Sequence, residues 1–157
     1  MVVIRLGQAG DIPVLNTMIH EFAAFERLPI ALTEEDLLRD GFSEQPKFHV
    51  LIAEWDTQTA GYALFFNYYS SFQGRHGMFL EDVYVRVQFR GKGIGKALLA
   101  RAAVIAQQEN CLGLRWEVLD WNTPAIDFYR KLGATFLDDW KLVSLEGEAF
   151  RRLASGE

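Results

Sequence analysis

The chain of 157 residues has a single cysteine, Cys111, which excludes an internal disulfide and any multi-cysteine metal site. Its expected role is packing near a helix end, not service as a catalytic thiol. Only three histidines occur. His20 falls in helix-like, His49 in strand-like and His76 in loop-like sequence. They share no ligand spacing, so no metal is expected. No apolar run approaches the ~20 residues that span a bilayer. The first six residues lack the basic start, apolar middle and small-residue cleavage site of a secretory signal, so a cytoplasmic location is the default expectation. Positive charge is scarce too. Sixteen Lys and Arg against 21 Asp and Glu leave a net charge of −5, which argues against nucleic acid as the main partner and suits a cationic substrate.

Half of the residues are hydrophobic and 24% are charged, with 12 Phe, a composition for one globular domain over residues 1–157. Residues 2–6 read as a short strand. Asp11 is placed to cap a helix with the stripe Val14, Leu15, Met18, Ile19, Phe22 and Phe25, which runs to about Glu26 and stops before Pro29. Thr33 caps a second helix with acids in its first turn, ending near Gly41. Residues 48–55 and 59–69 are two strands joined by a polar turn, and residues 79–87 a third. A helix runs from Ile94 to about Asn110, followed by a strand at 112–119. A further helix opens at Asn122 with Pro124 in its first turn and stops at Gly133. Residues 136–137 and 140–145 are expected to close the sheet, and 148–157 to form a tail with one helical turn at most. This order is that of an α+β (α/β-like) sheet with helices on both faces.

Between the third strand and the long helix stands Arg90-Gly91-Lys92-Gly93-Ile94-Gly95-Lys96. Alternate glycines let the backbone approach a phosphate and adopt positive φ, and the free amides of a helix start then point at it. The spacing is wrong for a P-loop, which needs Gly where Arg90 stands and Ser or Thr where Ala97 stands. It is also wrong for a dinucleotide fingerprint, whose third Gly is replaced by Lys96. It fits [QR]-x-x-G-x-[GA] twice, from Gln88 and from Arg90.

That motif resembles the pyrophosphate loop of the GNAT acyltransferases. A second family signature follows at 121–134, with Asn122 and Tyr129, and the order of elements is similar over nearly the whole chain. The resemblance implies a mixed, mostly antiparallel sheet whose two central strands, 79–87 and 112–119, splay to admit acetyl-CoA. It implies cofactor contacts from Val83, Val85, Arg90, Gly91, Lys92, Gly93, Gly95, Lys96, Asn122 and Tyr129. The chain further resembles the spermidine/spermine and thialysine N-acetyltransferase branch. The stretches that carry this are Ala24-Phe25-Glu26-Arg27, residues 32–42, Leu80-Glu81-Asp82, Trp121-Asn122 and Asp139-Trp140-Lys141-Leu142. In that branch Glu26, Glu81, Asp82 and Trp140 would line an amine pocket, and a homodimer is implied. The loop at 70–74 and several absent aromatic and charged residues depart from the polyamine-site pattern, which leaves a polyamine and a lysine-like amino acid such as thialysine both open.

An alkyl amine, of ordinary pKa about 10.4, attacks a thioester only as the free base. Glu81 is the expected base, directly or through a water. A backbone amide near Val83, freed by a bulge, would polarise the carbonyl, and Tyr129 would protonate the leaving thiolate. Glu26 and Asp82 would hold a second ammonium, and Trp140 would offer a π face. From the residues alone, alternation puts Glu81 and Asp82 on opposite faces unless a bulge intervenes. Glu26 reads equally as surface charge, Trp140 as sheet packing and Asn122 as a helix cap. Acetylation of protein lysines and a non-catalytic acyl-CoA sensor are the alternative readings.

Overall fold

The computed structural model describes residues 1–156; Glu157, the last residue of the expected tail, lies outside the described residues. Two compact units divide the chain, Met1–Leu119 and Asp120–Glu157.

The first unit holds a five-stranded sheet in the order β1-β2-β3-β4-β5. Its strands are β1 (Val2–Leu6), β2 (His49–Trp55), β3 (Gln58–Ser70), β4 (Arg75–Val85) and β5 (Leu114–Trp116). The first four pair antiparallel, and β5 runs parallel to β4. The β2–β3 hairpin turns through Asp56 and Thr57, both at positive φ (46° and 70°), which suits the right-handed twist of the flanking strands.

Alternation sorts the sheet into two buried faces. Val50, Ile52, Tyr62, Leu64 and Tyr84 meet Ile12, Leu15 and Met18 of α1 (Ile12–Glu26) and Leu37 of α2 (Glu34–Gly41). Leu51, Ala53, Ala63 and Phe65 are buried on the other face. There α3 (Ile94–Gln108), which contacts β1 to β4, buries Ile94, Leu98, Leu99, Ala102 and Ala106. Helices therefore cover both faces, as expected. Thr33 caps α2 in a full capping box with Asp36.

Asp11 corrects one expectation. It precedes α1 but its side chain makes no cap. Both carboxylate oxygens instead accept from Arg5 at 2.8 Å, a charge-assisted bidentate pair, and Oδ2 also accepts from the Gln8 amide at 2.7 Å, so the side chain is committed upstream of α1. A one-turn 3-10 helix, Ala9–Asp11, leads into α1.

Pairing corrects two more. β4 starts four residues earlier than expected and ends two earlier, because residues 87–89 form a 3-10 turn. β5 shrinks to three residues, matched only as Met78↔Leu114, Phe79↔Arg115 and Leu80↔Trp116. Directly after Leu80 the β3–β4 register shifts. Phe65 opposes Leu80 and Leu64 opposes Asp82, so Glu81 is the extra residue of a bulge. A bulge bends its strand and ends regular pairing, and here β4 continues to Val85 without β5 beside it.

The second unit holds α4 (Thr123–Lys131) and α5 (Gly147–Ser155). The strands expected at 136–137 and 140–145 are absent from it. Their apolar composition is strand-like, but a strand needs a neighbour to take its backbone bonds. Leu142 (82%) and Val143 (86%) stand exposed. The tail, in turn, is a nine-residue helix, α5, rather than one turn. Among the described residues no helix is long and apolar enough to cross a membrane.

Candidate active site

The bulge at Glu81 opens a cleft of about 380 Å³ where β4 and β5 part. Ile19, Phe22, Ala23 and Glu26 of α1 form one wall, and residues 28–30 after it form the rim. Glu81 and Asp82 of β4 and residues 117–119 beyond β5 form the other. In an unbroken strand, adjacent Glu81 and Asp82 would face apart; the extra residue lets both line one cleft. The expected bulge thus exists, at Glu81 and not at Val83, which is in register with Ala63.

An ion pair fixes the α1 wall. Arg86 Nε and Nη2 donate to the two carboxylate oxygens of Glu21 at 3.0 Å each, and Tyr84 donates its hydroxyl to the same group at 3.3 Å. The helix bearing Glu26 is thereby tied to the end of the strand bearing Glu81.

Electrostatics in the cleft are those of carboxylates crowded out of water. Burial, and then the charge of Glu81, push the Glu26 carboxyl up. Burial, and then the charge of Glu117, do the same to Glu81. Asp82 is pushed up to about 6, mostly by burial, despite the hydrogen bond it accepts from the Tyr62 hydroxyl at 2.8 Å; the charges of Glu81 and Glu26 add to the rise. Tyr62 is fully buried, and burial next to that carboxylate holds its hydroxyl well above the ordinary value. Such a cleft favours a cationic occupant, whose charge would relieve all four acids. Glu117 was missed by sequence reasoning. It stood in the strand expected at 112–119, beside the anticipated gap, and was read as strand alone; its position just past the last paired residue is the signal that could have found it.

Beyond the end of β4 the glycine turn enters α3. Gly91 and Gly93 have φ of 76° and 77°, and a Cβ at either would meet nothing within 4 Å, so the space above the turn is open to a ligand. Gly93 occupies the N-cap position and supplies no side-chain cap, which leaves the first-turn amides of Ile94, Gly95 and Lys96 for an anion. This fits a diphosphate. Lys96 is exposed on that turn. Arg90 and Lys92 are engaged with rings. The Arg90 guanidinium lies 4.7 Å from the Phe25 ring centre and 5.9 Å from that of Tyr84, and its Nε donates to the Val85 carbonyl at 3.0 Å. Lys92 Nζ lies 4.9 Å from the Trp55 ring. Val83 and Val85 sit on the part of β4 that β5 does not cover.

The remaining expected site residues belong to the second unit. Asn122 caps α4, accepting from the Ala125 amide at 3.4 Å. Tyr129 lies on α4, with its ring 5.5 Å from that of Phe128. Trp140 is 78% exposed. Cys111 lies at the opposite end of β4 from Glu81, and burial pushes its thiol above the ordinary value, which disfavours a nucleophilic thiolate.

Comparison with known proteins agrees with this geometry. The sequence model of the Acetyltransferase (GNAT) family matches residues 15–134. The thialysine N-epsilon-acetyltransferase of Sus scrofa is 39% identical over 166 residues, covering 98% of this chain and 97% of that protein. The human spermidine/spermine N(1)-acetyltransferase-like protein 1 is 36% identical over 163 residues, which cover 96% of this chain and 23% of that protein. Among solved structures, the integron cassette protein VCH_CASS6 from the mobile metagenome of V. cholerae superposes with a TM-score of 0.80 at 26% identity, covering 98% and 97% of the two chains.

Proposed function

Since this chain belongs to the GNAT acetyltransferase family and is an N-acetyltransferase, we propose that it moves an acetyl group from acetyl-CoA directly onto a primary amine of a small substrate bearing two amino groups, a lysine-like amino acid such as thialysine or a diamine. The observation that carries this reading is the cleft at the β4–β5 parting, lined by Glu26, Glu81, Asp82 and Glu117. A small amine with a second positive group matches it in charge and size. The near full-length similarity to thialysine acetyltransferases supports a lysine-like amino acid as the leading candidate.

In this reading the amides of Ile94, Gly95 and Lys96 and the open backbone at Gly91 and Gly93 hold the diphosphate, with Arg90, Lys92 and Lys96 around it; the 121–134 motif implies a further coenzyme contact from Asn122. Bound acetyl-CoA supplies the activated acetyl group. Glu81, already pushed toward neutrality by burial and by Glu117, takes the amine proton directly or through a water. The unpaired β4 edge around Val83 and Val85 offers backbone amides to the carbonyl oxygen. Tyr129, by its place in the 121–134 motif, returns a proton to the departing sulfur. Glu26, Asp82 and Glu117 hold the distal ammonium, and the branch resemblance implies that Trp140 offers a π face to the substrate. A cytoplasmic homodimer completes the reading, and the exposed Leu142, Val143, Phe150 and Leu153 supply apolar surface for it.

The test is thiol release from acetyl-CoA over thialysine, lysine, ornithine, diamines, polyamines and lysine peptides, on wild type and Tyr129→Phe. Expected is turnover of a small dicationic amine ahead of every peptide, with kcat in Tyr129→Phe lower by roughly 10²-fold. Tight coenzyme binding without turnover of any amine would make the protein a sensor, and preference for peptides would make it a protein acetyltransferase.

A further inference from the structure

At the end of β4 remote from Glu81, three donor side chains of different chemistry converge. His76 is the second residue of β4, Glu109 follows the last residue of α3, and Cys111 lies in the link to β5. One ligand atom from each, an imidazole nitrogen, a carboxylate oxygen and the sulfur, all fall within 4.8 Å of one another. No local spacing announces this, because His76 is far from the other two in sequence. Their backbones are fixed by the sheet. The Cys111 amide donates to the Ala106 carbonyl at 2.8 Å, the Leu112 amide to the His76 carbonyl at 2.9 Å and the Met78 amide to the Gly113 carbonyl at 3.0 Å. His76 and Cys111 are half-buried, and Glu109 is exposed, its Oε2 accepting only a long bond from Asn67 Nδ2 at 3.4 Å.

We propose that His76, Glu109 and Cys111 form a zinc site that clamps the C-terminal end of α3 to the start of β4. One thiolate, one imidazole and one carboxylate are the donors Zn²⁺ takes, with bonds of about 2.0–2.3 Å and a tetrahedral arrangement. Those bonds set neighbouring donor atoms roughly 3.4–3.7 Å apart. Closing the difference from 4.8 Å takes small side-chain rotations, with Glu109 exchanging its 3.4 Å bond from Asn67 for the metal, and water fills the fourth position. On binding, the Zn–S bond forms as the Cys111 proton leaves for solvent. The dication then meets one thiolate, one carboxylate and a neutral imidazole, so no net charge is left at a half-buried place. No electron transfer is involved. The clamp has mechanical sense, because β5 has only three residues in register with β4, and the site holds the loop that delivers β5. His76 and Glu81 stand five positions apart along β4, roughly 16 Å. The site is thus distinct from the cleft and does not depend on the amine reading.

The single cysteine permits a test that needs no mutation. Reduced, metal-stripped full-length protein is alkylated with iodoacetamide with and without one equivalent of zinc chloride. Expected is protection of Cys111 by roughly tenfold or more, a thiolate-to-metal charge-transfer band when Co²⁺ replaces Zn²⁺, and a rise in Tm with zinc. His76→Gln should abolish the protection and Glu109→Gln should weaken it. Absence of protection in the wild-type protein overturns the proposal, as does protection that survives His76→Gln. Loss of zinc binding in Glu81→Gln with His76→Gln unaffected would also overturn it by moving the ion to the cleft.

Discussion

Substituting Asp82→Asn should make the protein more stable at neutral pH while damaging its use of dicationic amines. Asp82 is desolvated in the cleft and shares it with Glu26 and Glu81, which together raise its carboxyl from 3.8 to about 6. The sign follows from linkage. A group whose folded pKa lies above its unfolded one binds more protons in the native state between the two values, so stability is full below about 3.8 and falls as pH rises toward about 6. The gap corresponds to about 3 kcal/mol, an upper figure that relaxation and water reduce. Asparagine keeps an oxygen to accept from Tyr62 and carries no charge. Urea unfolding at a series of pH values reads the difference. The variant should gain about 1–3 kcal/mol over wild type at pH 7.5, with the gain shrinking to near zero by about pH 4. A gain independent of pH would mean that packing and not charge is responsible. A variant less stable than wild type at pH 7.5 would refute the desolvation argument outright.

Glu117→Gln removes the charge that helps to raise Glu81. The Glu81 carboxylate then persists to lower pH, and the acidic limb of kcat/KM should move to lower pH; an unmoved limb would separate Glu117 from the base. Gly93→Ala meets no steric neighbour but must hold φ near 77°, which costs about 1–2 kcal/mol, and its methyl enters the space assigned to the diphosphate. Calorimetry should show weaker coenzyme A binding as well as a lower Tm, and unchanged affinity would remove the turn from the binding site. Met18→Ala opens the core between α1 and the sheet, where Met18 is fully buried. It should cost about 2–5 kcal/mol in urea unfolding, and a loss below about 1 kcal/mol would mean that α1 collapses onto the gap.

Local chemistry made much of the fold legible in the sequence. Apolar alternation and turn residues placed β1, β2 and β3 within a residue or two, Thr33 announced the start of α2, and the glycines at 91 and 93 marked the turn into α3, because each depends on a few neighbouring residues. The site was legible as a list, Glu26, Glu81 and Asp82 on one cleft, but two of its causes were not. A bulge is a property of paired strands: only the offset between Leu64 and Asp82 shows that Glu81 is the extra residue, and that offset brings both acids to one side and releases β5. Glu117 became visible only when β5 was seen to end at Trp116.

The same division explains the misreadings. Residues 140–145 have strand composition, yet a strand exists only where another offers its amides and carbonyls, and composition does not say whether one does. Asp11 looks like a cap until Arg5, brought close by the fold, offers a stronger partner. Sequence determined the periodic elements, the glycine turn into α3 and the acidic character of the cleft, since these follow from spacing and side-chain type. Tertiary structure alone decided register, the bulge, the parting of β4 from β5 and the meeting of His76 with Cys111, since each arises from contacts between segments distant along the chain.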